Sequence, residues 1–253
     1  MRSILLAPLV LLILFGARSG APSGDGPFVC PPCGSECHFH EYPEQGTCGG
    51  CGMELAPLAS IPQVGVLIFP GVDLTSATLA LGAFVDSNAV RAFTVADSLD
   101  PVRARDALVL TPQFALADAP RLDVLIVPDG FGAQQDPLLY EWAAKAAGEA
   151  RFVLGVGMGN VVLGRGGALK DARIPGSEFL AKRIGDFAPG LTVDTEARLI
   201  RSGKFLAAKD PLSALDGVLE IVGELAGAET AQQTAEGLGL AWKGAAAAAA
   251  GAR

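Results

Sequence analysis

The hydrophobic positions of the chain fall into two kinds of run. "VGVLIF" (Val64 to Phe69), "LDVLIVPDG" (Leu122 to Gly130) and Phe152 to Val156 are short apolar stretches with almost no polar alternation, each closed by proline or glycine. Runs of this length suit strands covered on both faces, hence a parallel sheet. "VRAFTVA" and "DALVL" supply two further candidate strands. Between them, "LTSATLALGAFVD" and "DPLLYEWAAKAAGEA" carry helical spacing; in the second, Leu138, Leu139, Trp142 and Ala146 share a face, with Asp136 as cap and Pro137 in the first turn. A further helix is expected from Asn160 onwards, then "PLSALDGVLEIVGELAG", then Glu229 to Leu240. The rhythm β, α, β, β, β, α, β, α predicts an α/β domain over 62–227: a doubly wound, flavodoxin-like parallel sheet with helices on both faces. The remainder, 228–253, reads as a C-terminal helix and an alanine-rich tail, "GAAAAAAGAR", that has little to bury and should fray.

The amino terminus follows another pattern. "MRSILLAPLVLLILFGARSGA" has one early arginine, an apolar run from Ile4 to Phe15 and then small residues, the layout of a signal peptide over 1–21, with cleavage between Ala17 and Ala21. Twelve residues rise only ~18 Å as a helix against a hydrocarbon core of ~30 Å, so no permanent membrane span is expected. The mature chain is therefore expected to be secreted or periplasmic. Its formal net charge of -8, with no basic cluster, argues against a nucleic-acid partner and towards cations.

Every cysteine and histidine lies in "CPPCGSECHFHEYPEQGTCGGC": Cys30, Cys33, Cys37, His38, His40, Cys48 and Cys51. The two C-x-x-C pairs, Cys30 with Cys33 and Cys48 with Cys51, are each followed by glycine, which relieves the tight turn that brings two thiolates to one ion. This spacing predicts a tetrathiolate, zinc-ribbon-like metal module over 28–56. Cys37, His38, His40 and Met53 are left to complete, replace or supplement members of it. Soft sulfur and imidazole suit zinc or monovalent copper. Two disulfides and a spare thiol are the alternative, favoured by export; the odd cysteine count and the C-x-x-C spacing favour metal. The stretch "FVCPPCGSECHFHEYPEQGTCGGCGMELAPL" resembles the small heavy-metal-binding domain at the ends of bacterial metal-efflux proteins, with Gln45 where that pattern has proline. The resemblance implies binding of copper, zinc or a similar ion.

In the α/β region "RFVLGVGMGNVVLG" has the layout of a nucleophile elbow, a strand running through a sharp turn into a helix, yet the apex is Gly157. A dinucleotide site is poorly matched, because Asn160 stands where the third glycine of G-x-G-x-x-G belongs. "VLIFPGVDL", "ALVLTPQFALADAPRLDVLIVPDG", "VLGVGMGNVVLGRGGALKDARI" and "AAKDPLSALDGVLEIVGELAG" resemble the DJ/PfpI superfamily, relatives of the class I glutamine amidotransferases. That resemblance implies a flavodoxin-like sheet, a cysteine at the elbow, a supporting acidic residue after the first strand, and often dimerisation. Carried over, the elbow cysteine falls on Gly157, beside Met158. The acidic position falls on Ser76, with Asp73 close by, and the second residue of the strand-end "PGG" falls on Asp129. The sequence after Cys51 holds no cysteine or histidine, so neither a Cys/His nor a Ser/His/Asp mechanism can be assembled there.

These residues predict an exported metal-binding protein whose DJ/PfpI-like domain is catalytically silent and serves a small-molecule ligand or a second copy of itself. The competing reading is a hydrolase, lyase or hydratase working without cysteine at the pocket formed by Gly157, Met158, Asp73, Ser76 and Asp129. Its chemistry would come from a lysine-activated serine, an Asp73 and Asp129 carboxylate pair, or a metal-bound water.

Overall fold

The computed structural model describes residues 26–33, 36–105, 108–242 and 244. The expected signal peptide and the alanine-rich tail lie outside these residues. The amino-terminal segment forms a three-stranded antiparallel sheet in the order β2-β1-β3, from β1 (Phe28–Val29), β2 (Glu41–Tyr42) and β3 (Ala56–Pro57). Its small core joins Phe28 and Leu55 to Cys30, Cys37 and Cys48.

The α/β region begins with β4 (Gln63–Leu67), whose five residues are all buried, as its unbroken apolar pattern requires. Asp73 then caps α1 (Leu74–Asp86), accepting the Ser76 N–H. The chain continues through β5 (Arg91–Ala96), β6 (Val102–Arg103), β7 (Val109–Leu110), β8 (Phe114–Ala115) and β9 (Val124–Val127). Next come α2 (Pro137–Glu149), capped by Asp136 with proline in its first turn as expected, β10 (Phe152–Val156) and α3 (Met158–Arg165). The last third contains β11 (Arg173–Pro175), α4 (Glu178–Phe187), β12 (Thr192–Asp194), β13 (Leu199–Ser202), β14 (Phe205–Ala208), α5 (Pro211–Ala226) and α6 (Ala228–Gly237).

The main sheet has seven strands in the order β13-β14-β10-β9-β4-β5-β8. All its pairings are parallel except the edge hairpin β13-β14. Helices α1, α5 and α6 pack together over one face, and α2, α3 and α4 form the other layer. The doubly wound α/β expectation is met, with an antiparallel edge that apolar runs alone do not reveal. Two details differ from the sequence reading. Among the described residues the "DALVL" stretch contributes β7, which pairs with β6 in a separate hairpin outside the main sheet and leaves Leu108 and Val109 exposed. Helix α3 starts at Met158, two residues earlier than expected, since the turn is made by Gly157 alone. Among the described residues no helix is long and apolar enough to cross a membrane.

Helix α5 is the central support of the β10 and β14 strands, and its start is held by a reciprocal cap. The Asp210 side chain accepts the Ser213 N–H at 2.8 Å while Ser213 Oγ accepts the Asp210 N–H at 3.0 Å. Replacing Asp210 with alanine leaves the Ser213 N–H in the first turn without its side-chain partner. The expected cost is about 1 kcal/mol, read as a fall of roughly 2–4 °C in the thermal midpoint.

Candidate functional site

The amino-terminal module brings sulfur together from three places. Cys30 leaves the end of β1 and is fully buried; Cys37 sits in a short 3-10 turn, Glu36–Phe39; Cys48 and Cys51 flank a tight hairpin. That hairpin is closed by Cys48 N–H to Met53 O at 2.8 Å and Gly52 N–H to Cys48 O at 2.9 Å, and Gly52 adopts φ +76°, the left-handed conformation that explains glycine after the second cysteine. The four Sγ atoms of Cys30, Cys37, Cys48 and Cys51 all lie within 4.8 Å of one another. The Cys30–Cys51 separation is 3.2 Å and the Cys37–Cys30 separation 3.6 Å. Tetrahedral thiolates at ~2.3 Å from zinc stand ~3.8 Å apart, so the four sulfurs need only sub-ångström to ångström adjustments to close on one ion.

This quartet uses Cys37 where the spacing alone suggested Cys33. The difference has a backbone cause. At the second pair, the N–H groups of Cys51 and Gly50 donate to Cys48 Sγ and hold its pKa down at about 6. At the first pair the position equivalent to Gly50 is Pro32, which has no N–H, so Cys30-Pro31-Pro32-Cys33 cannot form the same donor-lined turn. The 3-10 turn carries Cys37 inwards instead, and Cys33 lies outside the quartet with its sulfur 3.4 Å from that of Cys37. Burial first, then the neighbouring Cys51 thiol, pushes the Cys30 thiol well up. The Cys33 thiol, with burial second, pushes Cys37 up to about 12. Tyr42 Oη lies 3.8 Å from Cys48 Sγ, and this contact raises the tyrosine's own pKa. His40 is exposed and takes no part in the quartet; the side chain of His38 lies outside the described residues.

The second cluster stands at the carboxyl ends of β4, β9 and β10, and it joins all five residues proposed for the pocket. Gly157 lies between β10 and α3 with φ 53° and ψ -119°. A Cβ at this position would meet the Asp129 carboxylate, 2.6 Å from Cγ and 2.7 Å from Oδ1. The space above the elbow is therefore filled by a side chain from the neighbouring strand end. Asp129 Oδ1 accepts the N–H of Met158, the first residue of α3, at 2.8 Å and that of Gly130 at 2.9 Å. These are the donors a helix N-terminus offers to an anion. Ser76 Oγ is completely buried; it donates to Asp73 O at 2.9 Å and accepts the Asp129 N–H at 3.0 Å. Its hydroxyl thus donates to a backbone carbonyl and accepts from a backbone amide, with no side-chain base as partner in either contact. Asp73 uses Oδ1 for the Ser76 N–H and Oδ2 for Arg105. It meets Asp129 through the backbone, Asp73 N–H to Asp129 O at 2.8 Å.

Two residues here had no signal in the sequence. Arg105 lies in the loop of the β6-β7 hairpin, whose placement beside Asp73 is decided by tertiary contacts. Asn160, fully buried, donates from Nδ2 to Ala208 O at 3.0 Å and Gly157 O at 3.2 Å, tying the elbow to β14.

Comparison with known proteins places this architecture. No family model matches the chain. It is 32% identical over 177 residues to an isonitrile hydratase of Pseudomonas putida, an overlap of 67% of this chain and 75% of that protein. Among solved structures it is similar to a ThiJ/PfpI family protein from Pseudomonas syringae, with TM-score 0.64, 25% identity, and coverage of 72% of this chain and 76% of the other. The fold is also that of Drosophila melanogaster DJ-1beta, with TM-score 0.61 at 18% identity over 72% of this chain and all of the other.

The contact between Asp129 and the elbow predicts a coupled pair of substitutions. Gly157→Cys alone should cost about 3 kcal/mol, from a non-glycine residue at positive φ and from the collision with the carboxylate. In an Asp129→Gly background the same change should cost at least ~1 kcal/mol less. Urea unfolding of the two single variants and the double variant reads this directly, and strict additivity would refute the contact.

Proposed function

Because the chain belongs to the DJ-1/ThiJ/PfpI superfamily yet carries its clustered thiols outside the superfamily fold, we propose that it is a metal-binding protein in which the α/β domain does no thiol chemistry. The observation that carries this reading is the quartet Cys30, Cys37, Cys48 and Cys51, three inward-facing sulfurs and the exposed Cys51 converging on one point. The donor set suits zinc or monovalent copper. The chain acts outside the cytoplasm, directed there by the apolar leader, and the α/β domain serves a small-molecule ligand or a second copy of itself.

The chemistry of capture follows from the thiols. Cys48 is held as thiolate by the Cys51 and Gly50 amides, which makes it the first anion to meet a soft cation. Cys30 and Cys37 have raised pKa values and are protonated at neutral pH, so they give up their protons as the ion is bound. Acid therefore opposes capture. As pH falls the thiols hold their protons more firmly, and below about 6 Cys48 too becomes protonated. Affinity is lost in that direction and gained as pH rises.

One finding favours a second reading, the relationship to an isonitrile hydratase. Under that reading Asp129, half-buried above the elbow, replaces the thiol as an acid or base. Its Oδ1 is already engaged by two backbone amides, those of Gly130 and Met158.

Metal analysis of the protein, purified without a metal-chelating tag, should find about one equivalent of zinc or copper. A variant with Cys30, Cys37, Cys48 and Cys51 changed to serine should retain less than a tenth of that. Proton release on binding should be visible as a dependence of the calorimetric heat on buffer ionisation. No metal in the wild-type protein, with a mass under non-reducing conditions four hydrogens below the all-thiol value, would sink the reading in favour of two disulfides. Incubation with an alkyl isonitrile should give no formamide above background; formamide production abolished by Asp129→Asn would establish the second reading.

A further inference from the structure

Arg91 is the most deeply buried cation among the described residues, 2% exposed in the first position of β5. Nothing in the α/β domain alone accounts for it. Its guanidinium lies 5.1 Å from the ring centroid of Phe39 and 5.9 Å from that of Phe114. Nη1 is 3.4 Å from Gln63 Oε1 and 3.9 Å from the half-exposed Glu41 carboxylate, while Nε has no partner. Phe114 and Gln63 belong to the sheet; Phe39 and Glu41 belong to the amino-terminal module. Burying a guanidinium is costly unless aromatic faces and polar groups surround it. Half of what surrounds this one comes from the module.

The same half is attached to the sulfur quartet. Phe39 ends the 3-10 turn Glu36–Phe39 that carries Cys37, and Glu41 opens β2, which pairs with the β1 strand leading into Cys30. Any ion that fixes Cys37 fixes the turn that holds Phe39 over Arg91. We propose that Arg91 is the positioning residue that couples metal capture to the α/β domain: it anchors the Cys37 turn on the sheet, so that ion binding and seating of the module strengthen each other. The inference rests on the metal reading of the quartet and adds to it a route by which the α/β domain senses occupancy.

Both tryptophans, Trp142 and Trp242, lie outside the module, so tryptophan fluorescence reports unfolding of the α/β domain alone. The test uses the full mature chain, stripped of metal and then titrated with zinc. Binding is measured by competition with a chromophoric chelator, and the tryptophan-detected thermal midpoint is measured with and without the ion. Zinc in large excess over its dissociation constant should raise that midpoint in the wild type by about 5 °C. Arg91→Leu should bind zinc about tenfold more weakly, since coupling is reciprocal, and lose most of the midpoint shift. Arg91→Lys, which keeps the charge but not the planar stacking, should fall between. Phe39→Leu removes the contact from the module side and leaves the strand intact; it should likewise uncouple the shift, and it serves if Arg91→Leu does not fold. If wild type binds zinc but its tryptophan midpoint does not move, or if Arg91→Leu and Phe39→Leu keep the full shift, the coupling is refuted while the metal site stands. If wild type binds no zinc or monovalent copper, the metal reading fails and the coupling with it.

Discussion

About 30 residues cannot bury enough apolar surface to offset the entropy of ordering them, and the amino-terminal module is no exception. Its sheet has strands of two residues, and its apolar core is little more than Phe28 and Leu55. What remains to hold it is the meeting of Cys30, Cys37, Cys48 and Cys51, and the strands around it run where those sulfurs must go. Small domains below about 40 residues usually depend on a metal, a disulfide or a partner for this reason. Here the partner is partly built in, because Arg91 of the sheet draws Phe39 and Glu41 of the module onto itself.

The α/β domain meets the opposite situation. Its core is large, and the sharp turn at Gly157 is supported from every side: by Asn160 from within α3, by the Ala208 carbonyl of β14, and by the Asp129 carboxylate from the end of β9. A turn of this shape is a place where a fold can present a reactive side chain. In this chain the apex side chain is absent and a carboxylate from the adjacent strand occupies its space, satisfied by two backbone donors. The two halves thus divide the chemistry, with thiols confined to the module and hydrogen-bonded carboxylates at the sheet's carboxyl end.

The legible part of the fold was the part with strong local signals. The unbroken apolar runs of β4, β9 and β10, the Asp136-Pro137 start of α2 and the glycine at the elbow can each be read within a window of a few residues, because burial on two faces and capping are local demands on sequence. The strands missed or misplaced lacked such signals. The edge strand β13 carries a mixed pattern, since it faces solvent on one side, β14 is only four residues long, and "DALVL" looked like a core strand although tertiary packing leaves Leu108 and Val109 exposed.

The sequence by itself determined that all the thiol and imidazole sits in one short segment, that the α/β domain contains neither, and that the apex of its elbow has no side chain. Only the tertiary structure decided which four of five thiols converge. Spacing favoured Cys33, but Pro32 withholds the amide a second knuckle needs, and the 3-10 turn delivers Cys37 instead. It alone also showed that Asp129 fills the elbow and that Arg91 joins the two parts. Contacts between residues 28 and 52 positions apart depend on how strands are ordered in the sheet and how the module is seated, and no local pattern encodes that.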